Sequence, residues 1–144
     1  MRRRAILMLI TATIVLTACG GAVAEVAPPP GATPYEATGD DAAAQLVRTW
    51  QQVAWQAMAA DLVKPETKIE RMYRTDASFE DIAAHYDGLV QTAGWWKQKR
   101  LPGHQGDFML LGYEHGLTAM VVGVFDTAPL GGSGRIVYTL TGSK

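Results

Sequence analysis

An α+β fold is what three features of this sequence predict. Between Ser78 and Gly94 apolar residues recur at helical spacing behind a capping serine. A second run of helical spacing extends from Asp40 to about Asp61, and short alternating stretches separated by glycine-bearing turns fill Trp95 to Thr141. Consecutive strands with short connections pair antiparallel, and amphipathic helices bury their apolar stripe against the sheet they help form. The expected architecture is an antiparallel sheet of about five strands with two helices packed on one face.

The elements follow in order. Asp40 and Asp41 suit the cap or first turn of the first helix, where side-chain oxygens meet free backbone N–H groups. Leu46, Trp50, Val53, Ala57 and Ala60 form its expected buried stripe. Val47, Trp55, Met58 and Leu62 fall on another side, so this helix is apolar over more than one face. That surplus fits a helix wedged between the sheet and a loop, or an exposed Trp/Met patch that meets a partner or ligand. Pro65 marks the stop. Thr67–Arg74 reads as a strand, with Ile69, Arg71 and Tyr73 on one side and Met72 on the other.

The second helix is capped by Ser78, carries Glu80 and Asp81 in its first turn and stops at Gly94. Its stripe is Phe79, Ile82, Tyr86, Leu89, Val90 and Ala93. Strands are then expected over Trp95–Leu101, Phe108–Tyr113, Leu117–Asp126 and Arg135–Thr141. Leu117–Asp126 is apolar on both faces and therefore central. The intervening Pro102–Asp107 and Thr127–Gly134 segments read as loops. The helix-plus-strand grammar from Thr75 to Trp95 resembles a pattern in small exported bacterial domains without assigned activity, and that resemblance carries no site residues with it.

Ahead of the domain lies a different kind of segment. Arg2, Arg3 and Arg4 precede the apolar run Ala5–Leu16, which at about a dozen residues has signal-peptide length and is short of the roughly 20 a membrane span needs. It ends in Leu16-Thr17-Ala18-Cys19. This resembles the lipobox of bacterial lipoproteins, with leucine at −3, small residues at −2 and −1 and cysteine at +1. The resemblance implies cleavage after Ala18, acylation of the Cys19 thiol and new amino group, and anchoring on the extracytoplasmic side of a bacterial membrane by more than one buried chain. Glycine at position 20 would, by the same resemblance, favour the outer membrane in an envelope that has two. An ordinary cleaved signal peptide with an unrelated cysteine, or an uncleaved short anchor, is the alternative. The Gly/Ala/Pro-rich stretch that follows, including Pro28-Pro29-Pro30, reads as a tether too poor in apolar surface to fold alone. The expected division is 1–18 signal peptide, 19–39 tether and 40–144 a single domain.

Composition narrows function by exclusion. The formal charge is −1, and removing the three leader arginines leaves about −4, the wrong sign for displacing counterions from nucleic acid. One cysteine cannot form an internal disulfide. No G-x-S-x-G, P-loop or dinucleotide glycine pattern is present, and Ser133 sits in a glycine run. The expected role is non-enzymatic binding in the cell envelope, without a cofactor, with the membrane as one partner through Cys19 and an envelope protein as another. The candidate binding patch is Trp50, Trp55, Met58, Trp95 and Trp96. Two alternatives stand beside it: an apolar-ligand carrier with a pocket near Trp50, Trp55 and Met58, and a metal-assisted hydrolase using His104, Asp107 and His115. Lys97, Lys99 and Arg100 beside the tryptophans read as a strand edge protected by cations, or as a contact for anionic groups.

Overall fold

The computed structural model describes residues 26–60 and 62–144; the expected leader, Cys19 and the first part of the tether lie outside them. The elements are β1 (Thr33–Pro34), α1 (Ala42–Ala60), β2 (Ile69–Thr75), α2 (Phe79–Thr92), β3 (Trp96–Lys97), β4 (Gly103–Gln105), β5 (Phe108–His115), β6 (Thr118–Asp126) and β7 (Arg135–Ser143). All strand pairs are antiparallel, in the order β1-β2-β7-β6-β5-β3, with β4 also on β5. The class is α+β as expected, with seven strands in place of about five. One addition, β1, comes from the expected tether. The other, β4, comes from the Pro102–Asp107 loop, while the strand expected over Trp95–Leu101 keeps only Trp96–Lys97 as β3. β4 turns back through Gly106, whose positive φ of +58° opens a two-residue hairpin onto Phe108.

The two helices lie on opposite faces of the sheet, which corrects the expectation of one shared face. Register makes this unambiguous. Val121 lies opposite Leu140 and Phe125 opposite Ile136, and these join Val47, Ala54 and Met58 of α1 in one core. Met120, Val122 and Val124 alternate with them and join Phe79, Ile82 and Tyr86 of α2 in the other, with Met109, Leu111 and Tyr113 from β5. A strand that is apolar on both sides needs cover on both, and one helix cannot supply it.

The α1 stripe is also shifted from the expected one. Ala44, Val47, Ala54 and Met58 are buried, whereas Val53 is 41% exposed and Ala60 faces solvent. The sheet surface under α1 is already filled by Phe125, Ile136, Tyr138 and Leu140. Small residues at 44 and 54 let the helix approach that surface, and the bulky Trp50 moves to the rim between Phe108 and Phe125, at ring separations of 5.4 and 5.2 Å. Asp41 caps α1 by accepting the Ala44 N–H at 2.8 Å. In α2, the Ser78 hydroxyl accepts the Asp81 N–H at 3.0 Å and donates to the Asp81 carboxylate at 2.8 Å. Gly94 stops it at φ +71°, as its place in the sequence predicts.

Residues 26–39, expected as part of the tether, pack against the domain. Val26 packs on the α2-side core, the Ala27 carbonyl accepts from His85 Nε2 at 2.9 Å, and Pro29 is buried. The Pro30 carbonyl takes the Thr75 hydroxyl, β1 pairs with Tyr73 and Arg74, and Tyr35 donates its N–H to Met72. Tyr35 and Ala37 then pack on the α1-side core. This strap wraps the β2 edge from one face to the other. Prolines already hold an extended backbone, so docking it loses little entropy, and Pro34 is tolerated because it sits on an edge strand.

α1 ends in a strained turn. The Leu62 N–H bonds to the Ala59 carbonyl and the Val63 N–H to that of Met58, the two bonds of a Schellman motif, with Val63 buried beside Met58. Leu62 sits at the left-handed position with φ +60° and is 82% exposed. A left-handed L-residue costs about 1–2 kcal/mol, part of which glycine would return to the greater freedom of the unfolded chain. Leu62→Gly is therefore expected to stabilise the domain by about 0.5–1 kcal/mol, read as a rise in the urea midpoint at unchanged slope.

Candidate functional site

One flank of α1 overhangs β2 and encloses an open cleft of about 640 Å³, lined by Arg48, Gln51, Gln52, Trp55, Gln56 and Glu70. The helix residues recur at i, i+3, i+4, i+7 and i+8, so they share one side of the helix next to its buried stripe. Glu70 reaches them because strand alternation places it with Met72 on the α1 side of β2, opposite Leu140.

The centre of the cleft is a fixed carboxylate. Glu70 Oε1 accepts from the Trp55 indole N–H and from the Tyr138 hydroxyl, the latter at 2.6 Å. Both donors sit on the same oxygen. Among the described residues no hydrogen bond involves Glu70 Oε2. Lys68 Nζ stands 3.6 Å over the Trp55 ring, a close cation–π contact. Arg48 is held at the end of the cleft, donating to the Gly39 carbonyl at 3.0 Å and lying 3.6 Å from Asp40.

Burial raises the Tyr138 pKa well above the usual phenol value, and the hydrogen bond it donates to Glu70 and the negative charge of that carboxylate raise it further. Burial does the same for Tyr113, whose hydroxyl donates to Asp87 at 2.7 Å, and for Tyr86. These three hydroxyls stay protonated through the neutral range and serve as donors or packing groups.

The five aromatic and methionine positions expected to form one patch are dispersed. Met58 is fully buried between α1 and the sheet. Trp50 borders a separate notch of about 230 Å³ with Phe108, Phe125 and Leu130. Of the five only Trp55 lines the cleft, 39% exposed, apart from buried Met58 and from the notch beside Trp50. Trp95 is 4% exposed on the α2 side, stacked with His115 at 5.5 Å, while the next residue, Trp96, points to the opposite face and is 52% exposed. The basic cluster divides in the same way. Lys97 pairs with Asp87 at 2.8 Å on the α2 side, while Lys99 and Arg100 border Trp96.

His104, Asp107 and His115 do not assemble a metal set. His104 lies opposite Met109 and His115 opposite Thr118, at the two ends of β5 and about 20 Å apart along the strand. His104 stacks on Phe79 at 4.1 Å and its Nε2 contacts the Gly106 carbonyl. Among the described residues no three His, Cys, Asp or Glu side chains group as metal ligands.

Glu70, Lys68, Tyr138 and the three glutamines were not marked by the sequence reading. The available signal was the polar spacing of Gln51, Gln52 and Gln56 around Trp55, together with the parity that groups Glu70 with Met72. Comparisons with family models, with characterised proteins and with solved structures return no match for this chain.

The tyrosines set an alkaline limit on stability. A phenol whose folded pKa exceeds its unfolded value near 10 contributes stability that is complete below about pH 10 and is lost as pH climbs toward the folded pKa. In a spectrophotometric titration, three of the five tyrosines are expected to ionise only together with the loss of near-ultraviolet circular dichroism. Ionisation of all five while that signal persists would contradict the burial described here.

Proposed function

We propose that this chain is a lipid-anchored extracytoplasmic domain that acts by binding within the cell envelope rather than by catalysis. The observation that carries the reading is the relation between Cys19 and the strap. The lipobox-like Leu16-Thr17-Ala18-Cys19 is followed by only six residues, Gly20 to Glu25, before the chain docks at Val26. Six residues reach about 20 Å when fully extended. Such a short leash holds the domain close against the bilayer, a closer mounting than the 20-residue spacer expected from composition. Among the described residues no helix is long and apolar enough to cross a membrane, so the attachment proposed is through acyl chains on Cys19.

The binding half of the reading is supported by the α1–β2 cleft, where Trp55 and a preset carboxylate face solvent beside uncommitted amides. An envelope protein is a second possible occupant of the surface, with the notch between Trp50, Phe108 and Leu130 sized for one apolar side chain.

Metabolic labelling with radioactive palmitate, followed by detergent phase separation, tests the anchor. The native chain is expected to carry label and enter the detergent phase, and Cys19→Ala to lose both properties. Label that persists in Cys19→Ala would overturn the anchoring.

A further inference from the structure

We propose that the α1–β2 cleft binds an uncharged oligosaccharide, with one sugar ring lying on Trp55 and its hydroxyls bonded to Glu70 and the neighbouring glutamines. The proposal deepens the binding reading by naming a ligand class, and it does not depend on the lipid anchor.

Four properties of the cleft select this class. First, Trp55 is presented as a fixed plate. Its N–H is committed to Glu70 and Lys68 stands over the ring, yet 39% of the residue remains exposed in the cleft. The electron-rich face of an indole attracts the weakly positive C–H face of a pyranose, and a plate that is already immobilised loses little freedom on binding.

Second, Glu70 is preset as an acceptor. Trp55 and Tyr138 both bond to Oε1, which fixes the plane of the carboxylate, while no hydrogen bond within the described residues uses Oε2. A carboxylate oxygen held in this way accepts a hydroxyl proton strongly, because the bond is charge-assisted and its geometry is set beforehand. Third, the side-chain amides of Gln51, Gln52 and Gln56 enter no hydrogen bond among the described residues. Each amide donates and accepts, which matches a ligand whose hydroxyls do both.

Fourth, the charges exclude the main competitors. An anionic ligand would meet Glu70 at the centre, with Arg48 already engaged by Gly39 and Asp40 at the end. A quaternary ammonium would find a single aromatic ring in the cleft, where recognition of that group uses a cage of several. An apolar ligand would strip water from three glutamines, an arginine and a glutamate without replacing their hydrogen bonds. A neutral polyhydroxylated chain satisfies all of these groups. The cleft volume of about 640 Å³ lies in the usual range for small-ligand sites, and its lining runs along α1 from Arg48 to Gln56, longer than a single ring.

The test uses the full chain in a sugar-free zwitterionic detergent, observing the indole N–H signals of the four tryptophans by NMR. Chitotetraose, cellotetraose and maltotetraose are titrated separately to about 10 mM, the range suited to a weak open site. The expected result is that at least one of them moves the Trp55 signal saturably, with the Trp95 signal unchanged. Glu70→Gln and Gln52→Ala should each weaken that binding by about tenfold, with the remaining indole signals in place as evidence that the fold is kept. Cys19→Ala should bind as the native chain does, which separates this proposal from the anchor. No movement of the Trp55 signal with any of the three sugars would overturn the proposal, as would equal affinity in Glu70→Gln and Gln52→Ala.

Discussion

β6 has no side that can face water. Ala119, Val121 and Phe125 point one way, Met120, Val122 and Val124 the other, and every residue from 119 to 125 is buried. The rest of the architecture answers that condition. β5 and β7 pair along its full length and bury its backbone groups, so only the two faces remain. α1 closes one and α2 the other. Burying a valine or methionine side chain is worth about 1.5–3 kcal/mol, so leaving either face of β6 uncovered would forfeit several times that. For a domain whose net stability is of order 10 kcal/mol, the second helix is a requirement and not an ornament.

The parts of the fold legible in the sequence are those where local and tertiary signals agree. α2 has a serine cap, an acidic first turn and a terminating glycine where the pattern put them, and its stripe is buried at Phe79, Ile82 and Tyr86 and half-buried at Leu89, while Val90 and Ala93 at its end are exposed. β5, β6 and β7 were legible for a similar reason, since their alternation survives in the pairing register. α1 was not, because it carries more apolar residues than it buries. Choosing among them depended on the sheet beneath: Val47, Ala54 and Met58 join Phe125 and Tyr138 in the core, and Val53 is left outside. Its placement on the opposite face from α2 was implicit in the two-sided strand at Leu117–Asp126, but that inference needs both faces of the strand to be followed to their cover.

The candidate site was half legible. Trp55 drew notice as an aromatic residue off the expected core stripe, but grouping it with Trp50, Trp95 and Trp96 relied on residue type and ignored direction. Trp95, just before β3, is buried in the α2-side core, whereas Trp96, the first residue of β3, is exposed. The partners that give Trp55 its chemistry come from 15 residues away in sequence for Glu70 and, through Glu70, 68 residues further for Tyr138. Only the pairing of β2 with β7 brings them together, and no local pattern encodes that pairing.

The strap that wraps the β2 edge also decides how load enters the domain. Along the described chain, a pull toward the amino end loads Val26 and the His85–Ala27 bond, then the two residue pairs of β1, and only after these the central sheet. Those contacts peel one at a time, whereas β6 is held along nine residues by β7 and eight by β5 and resists as a unit. Once peeled, residues 26–39 would release about 45–50 Å of contour while leaving both helical layers in place. The same segment is thus a structural edge at rest and a reserve of slack under tension.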